Sequence, residues 1–171
     1  MALTRLLSPR ILLAAMFVAS AGLLAFGLYL QHAVGLQPCP MCILQRYAFV
    51  VLGLIAMVGM IHGPRRTGLR IYGALIGLTA IAGGSVAIRQ TWLQHNPPAI
   101  AECGPGLEYM LESFPLTEAW PMIFQGSGDC SKVDWTFLGL SIAEWSLVCF
   151  IGFLIGAVLV VLGSRRTAAG K

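Results

Sequence analysis

The feature that most constrains this chain is a set of apolar runs about as long as a bilayer is thick. Ile11 to Leu30 carries no charge for 20 residues, Ile71 to Ile88 none for 18, and Trp145 to Gly163 none for 19. Ile43 to Ile61 adds 19 more, with one charge, Arg46, in its first turn. Crossing the hydrocarbon core as a helix takes about 20 residues, within a range of about 17 to 25. Backbone in lipid must close its hydrogen bonds within a helix or a sealed barrel. The runs therefore predict an all-α membrane protein, a four-helix transmembrane bundle in which residues 1–171 form a single membrane domain. Its spans are expected at about 11–30, 43–61, 71–88 and 145–163, with outer segments at about 31–42 and 89–144. Arg5 and Arg10 before the first run resemble the start of a secretory signal. That run is longer than the usual apolar stretch of about 7 to 15, and no clean small-x-small site follows it, so it is read as a retained span.

Composition removes the main alternatives. Hydrophobic residues reach 57% before glycine is counted and charged residues only 11%, against roughly 45 to 50% (glycine included) and about 25% in soluble globular chains. Such apolar content excludes disorder. A net charge of +4 without a basic run gives no reason to expect nucleic acid. Five cysteines in 171 residues are too sparse for a small secreted disulfide scaffold.

The few charges are sorted by segment. Arg5, Arg10, Arg65, Arg66, Arg70, Arg165, Arg166 and Lys171 flank the spans at the termini and in the middle loop, with no acidic residue among them. All seven acidic residues, from Glu102 to Glu144, fall between the third and fourth runs. Because cytoplasmic flanks carry the lysine and arginine excess, both termini are expected in the cytoplasm and the segment 89–144 outside.

That orientation puts four of the five cysteines outside, where disulfides persist: Cys39 and Cys42 just before span two, and Cys103 and Cys130 in the long loop. Cys149, inside span four, reads as a small apolar packing residue. The sequence Cys39-Pro40-Met41-Cys42 is a CxxC, which admits metal ligation, a structural disulfide or a redox-active dithiol. Zinc would need two further ligands, and His32 and His95 lack paired spacing. A bridge closing so short a loop would contribute little stability. A helix starting near Cys42 would set Cys42 and Arg46 at i and i+4, and both a helix N-terminus and a guanidinium favour a thiolate. Arg46 is also an ionisable residue at the membrane margin, hence a candidate for function, with a snorkelling contact to headgroups as the alternative. A bridge between Cys103 and Cys130 would span 26 intervening residues and be worth roughly 3 to 4 kcal/mol in the chain-entropy model. Between them, Leu107, Met110, Leu111 and Phe114 recur at helical spacing, which predicts a short amphipathic helix on the outer leaflet ending at Pro115.

These residues resemble a known family. The pattern CxxCxxxRY at the start of span two, here Cys39, Cys42, Arg46 and Tyr47, is similar to that of the disulfide-bond formation protein B (DsbB) family of bacterial inner-membrane thiol oxidases. So is Ser127-Gly128-Asp129-Cys130 followed by Trp135, Phe137 to Leu140 and Trp145. The resemblance implies a redox-active disulfide Cys39–Cys42, a second one Cys103–Cys130, and a periplasmic thioredoxin-like oxidase of the DsbA type as partner. The partner would attack Cys103, Cys130 would exchange with Cys39, and Cys42 would deliver electrons to a quinone from the membrane pool, ubiquinone or menaquinone, beside Arg46. The energetics agree: a partner near −120 mV could be reoxidised by an acceptor near −200 mV only against roughly 4 kcal/mol, so a more oxidising acceptor is required. Some family members carry histidine after the arginine that closes span three; this chain has Gln90 after Arg89. Gln90 is thus a candidate quinone contact that carries no proton at neutral pH, with His32 and His95 as the remaining proton carriers. Two other readings compete: a quinone or vitamin K reductase type, and a soft-metal membrane carrier using the outward cysteines.

Overall fold

The computed structural model describes residues 8–97, 113, 115, 128–133 and 135–169. Cys103 and the stripe Leu107, Met110, Leu111 and Phe114 lie outside the described residues. The described chain is mostly helical: α1 Pro9–His32, α2 Pro40–His62, α3 Arg66–His95, α4 Gly128–Ser131, the strands β1 Thr136–Phe137 and β2 Leu140–Ser141, and α5 Ile142–Ala169. Four helices are long and apolar enough to cross a membrane, over Pro9–His32, Pro40–His62, Arg66–His95 and Ile142–Ser164.

Local chemistry fixes where the helices start and stop. Pro40 takes the first turn of α2, where its missing N–H is no loss, and the Cys39 sulfur caps the helix by accepting from the Cys42 N–H at 3.3 Å. Helix α2 therefore begins before Cys42, with Cys39 as its N-cap. At the other end Gly63 adopts φ 55°, the left-handed cap that glycine supplies without steric cost. Helix α3 runs past the charge at Arg89 to His95, with the Arg89 guanidinium 4.8 Å from the Trp92 ring centroid. Helix α5 opens on a reciprocal cap: Glu144 N–H donates to Ser141 Oγ at 3.3 Å, and Ser141 N–H donates to Glu144 Oε2 at 2.7 Å.

Helices in lipid associate through close packing of small residues rather than a hydrophobic driving force. The most extensive contact, α3 on α5, follows this rule. Gly73, Gly77, Ala80, Gly83 and Ala87 line the buried face of α3. A Cβ on Gly83 would come within 2.4 Å of the Phe150 ring, so the glycine is required by that approach. Phe150 in turn stacks on Phe49 of α2 with centroids 4.3 Å apart. Outward-facing side chains such as Val18, Leu78 and Ile155 are apolar and exposed, as a lipid-facing surface requires.

Candidate functional site

The site lies at the end of the bundle where α2 begins, α3 ends and α5 begins. Cys39, Met41, Val86, Leu93 and Cys130 form a buried cluster, with Cys42 and Leu44 packed against it. Helix α4 is the element that brings Cys130 there, through contacts with α3 and α2. Cys39 Sγ and Cys42 Sγ are in contact at 2.7 Å, as two free thiols. Cys39 also shares a hydrogen bond with Cys130. Three of the four outward cysteines predicted from sequence are thus gathered at one point. The Cys39 thiol is held well above the ordinary thiol range, by its sulfur contact with Cys130 first, then by that with Cys42 and by burial.

Above these sulfurs is a cavity of about 560 Å³, lined by Cys39, Cys42, Arg46, Gln90 and apolar side chains of α1 and α5. That volume lies within the range of small-molecule sites, about 300 to 1,000 Å³. Its outer rim is aromatic. Trp135 meets Phe26 edge-on at 5.8 Å and stacks on Phe137 at 6.0 Å, and Phe137 meets Trp145 at 6.1 Å. The β1–β2 hairpin holds this rim, with Phe137 carbonyl accepting from Trp145 Nε1 at 3.0 Å. On the far side, a groove between α1 and α5 is lined by small and apolar residues such as Ala15, Ala19, Gly152 and Gly156, and it shares Leu23 and Cys149 with the cavity. Cys149 is half-buried against the core while also lining both spaces.

Arg46 and Gln90 both line the cavity, each held by specific partners. Arg46 lines the cavity with Cys42, but its guanidinium donates to Gln31 Oε1 and to the Gly27 carbonyl of α1, the latter at 3.0 Å. The group that reaches the sulfurs is Gln90, whose Nε2 donates to Cys42 Sγ at 3.2 Å and to Cys39 Sγ at 3.3 Å. Of the histidines, His95 is exposed, 3.8 Å from Glu144, and His32 is exposed at the end of α1.

Gln45 escaped the sequence reading. It is buried and donates from Nε2 to Gln90 Oε1 at 2.7 Å. The available signal was an uncharged polar residue inside an apolar span, three positions after Cys42 and so on the same helix face. Ser141, whose Oγ donates to Gln94 Oε1 at 2.7 Å, was likewise missed at the cavity edge.

Comparison with known proteins gives the family. Two relatives called disulfide bond formation protein B, from Azoarcus sp. (strain BH72) and Aromatoleum aromaticum, are 64% and 63% identical over 156 and 158 residues. Those matches cover 91% and 92% of this chain and 94% and 95% of theirs. One of the same name from Hahella chejuensis is 50% identical over 80% of this chain and 84% of its own. The family model described as disulfide bond formation protein DsbB matches residues 9–160. With its membrane-length helices and its cysteines gathered at one end, the chain belongs to the DsbB family of disulfide bond formation proteins.

Proposed function

We propose that this protein reoxidises a DsbA-type dithiol oxidase on the periplasmic face of the bacterial inner membrane and passes the two electrons to membrane quinone. The observation that carries this reading is the meeting of Cys39, Cys42 and Cys130 under a cavity that also holds Arg46. Cys103, predicted to receive the partner's attack, lies outside the described residues. Exchange then needs Cys130 beside Cys39, and both belong to one buried cluster. The pair Cys39–Cys42 ends as the reduced one, with Cys42 in the cavity wall.

The residues of the cavity suit a quinone, ubiquinone or menaquinone. Arg46 supplies a fixed positive charge, oriented by Gly27 and Gln31. The α1–α5 groove offers an apolar channel for a long tail, continuous with the cavity through Leu23 and Cys149. A bound quinone supplies a two-electron, two-proton acceptor, so that two thiols become one disulfide and one quinol leaves for the bilayer. The sorting of basic residues supports a periplasmic cysteine end. Quinone reduction driven by a reduced DsbA-type dithiol tests the reading. Wild-type membranes are expected to turn over, and Cys42→Ser or Cys103→Ser membranes turning over at the wild-type rate would end it.

A further inference from the structure

Gln90 is a buried side chain that touches both sulfurs of the outer pair, and both polar atoms of its amide have partners. One nitrogen, Nε2, donates to Cys39 Sγ at 3.3 Å and to Cys42 Sγ at 3.2 Å, while Oε1 accepts from Gln45 Nε2 at 2.7 Å. Both glutamines are 3% exposed. A primary amide has two N–H donors and a carbonyl acceptor, and its two ends are nearly equal in size. Sterics alone would let Gln90 rotate and present its oxygen to the sulfurs. The Gln45 N–H opposes that rotation, because a turned amide would face donor with donor in a buried place where lost hydrogen bonds are not made up by water.

We propose that Gln90 is a catalytic residue that favours the reduced form of the Cys39–Cys42 pair, and that Gln45 is a positioning residue that keeps the donor edge of Gln90 on the sulfurs. This inference rests on the redox reading of the pair given above. Reduction breaks the S–S bond and adds two electrons from the incoming dithiol; one proton gives a thiolate and a thiol, and a second proton gives two thiols. A sulfur that carries negative charge accepts N–H hydrogen bonds more strongly than a neutral disulfide sulfur does. Donors aimed at the pair therefore stabilise its reduced state more than its oxidised state, which makes the pair a stronger oxidant. The Arg46 guanidinium donates to Gln31 and Gly27 of α1, and the side-chain N–H hydrogen bonds described at the two sulfurs come from Gln90.

The test is the redox equilibrium of the pair in the full chain, reconstituted in lipid nanodiscs and titrated with dithiothreitol buffers. Cys103→Ser, Cys130→Ser and Cys149→Ala leave only the Cys39–Cys42 pair to report, by alkylation and mass. Gln90→Met, similar in length but without a donor, is expected to shift the equilibrium about tenfold toward the disulfide, about 30 mV for a two-electron couple. Gln45→Met shifts it the same way, and adds nothing once Gln90→Met is present, as a double-mutant cycle reads directly. Should Gln45→Met not fold, Gln45→Ala replaces it: with no side-chain amide at this position nothing opposes rotation of the Gln90 amide. A wild-type equilibrium in Gln90→Met, or a Gln45 effect undiminished without Gln90, overturns the assignment. Failure of the underlying redox reading is separate, since it is seen as a wild-type chain that cannot reduce quinone.

Discussion

Arg46 Nη2 donates to the Gly27 carbonyl at 3.0 Å, which ties the guanidinium of α2 to the backbone of α1 at the cavity wall. The arginine is thus aimed by the neighbouring helix, and its charge stands where a ligand oxygen would gain from it. A hydrogen bond involving a charged group is worth about 1.5 to 3 kcal/mol. Arg46→Met is therefore expected to raise the KM for quinone by roughly 10- to 100-fold. Thiol exchange with the dithiol partner is expected to stay near wild type. Arg46→Lys falls between, because an ammonium lacks the planar fork that serves Gly27 and Gln31 together. Separate measurement of quinone KM and of partner exchange rate checks both statements.

Two adjacent glycines of α3 should respond oppositely to the same change. A Cβ on Gly83 would lie 2.4 Å from Phe150 ring atoms and 2.9 Å from the Ala48 Cβ, whereas one on Gly84 would lie 3.6 Å from the Phe150 Cβ. Gly83→Ala is expected to destabilise by about 1 to 3 kcal/mol through overpacking. Gly84→Ala makes an ordinary contact and is expected to be close to neutral. Unfolding of the two variants in detergent, followed by tryptophan fluorescence, distinguishes them.

The cap of α5 bears on the edge of the cavity. Ser141 Oγ accepts from Glu144 N–H at 3.3 Å and donates to Gln94 Oε1 at 2.7 Å, linking α5 to α3. Ser141→Ala should cost about 1 kcal/mol, the usual loss for an N-cap. Hydrogen exchange of the first-turn amides of α5 is expected to rise roughly fivefold, since about 1.4 kcal/mol corresponds to a factor of ten. Glu144→Gln should cost less, because its side-chain oxygen still accepts from the Ser141 N–H.

The helices of the bundle were legible because apolar length and charge placement act along the chain. The run counted to Ile88 understated α3, which continues to His95, since a helix leaving the hydrocarbon core tolerates Arg89. The cap at Ser141 and Glu144 also had its spacing in plain view, S-x-x-E before an apolar run. What no local pattern carries is pairing across helices. Gln45 and Gln90 are far apart in sequence, and only the packing of α2 on α3 makes one the partner of the other. Arg46 reads as a cation beside Cys42 from their spacing, yet its donors turn to Gly27 and Gln31 of α1, a partner that only the packing of α1 on α2 supplies. The hairpin escaped for another reason: its strands are two residues each, and of its turn residues Leu138 and Gly139, both at positive φ, only the glycine signals that conformation.

The central claim is that electrons leave the chain through the Cys39–Cys42 pair to a quinone held beside Arg46. A single-turnover experiment measures it: the fully reduced chain, in anaerobic nanodiscs without partner, is mixed with excess quinone, and quinol is quantified together with the oxidation state of each cysteine. Quinol is expected to form in step with a Cys39–Cys42 disulfide, and none from Cys42→Ser. Quinol formation at the wild-type rate by Cys42→Ser, or wild-type quinol formation with Cys39 and Cys42 still reduced, would contradict it.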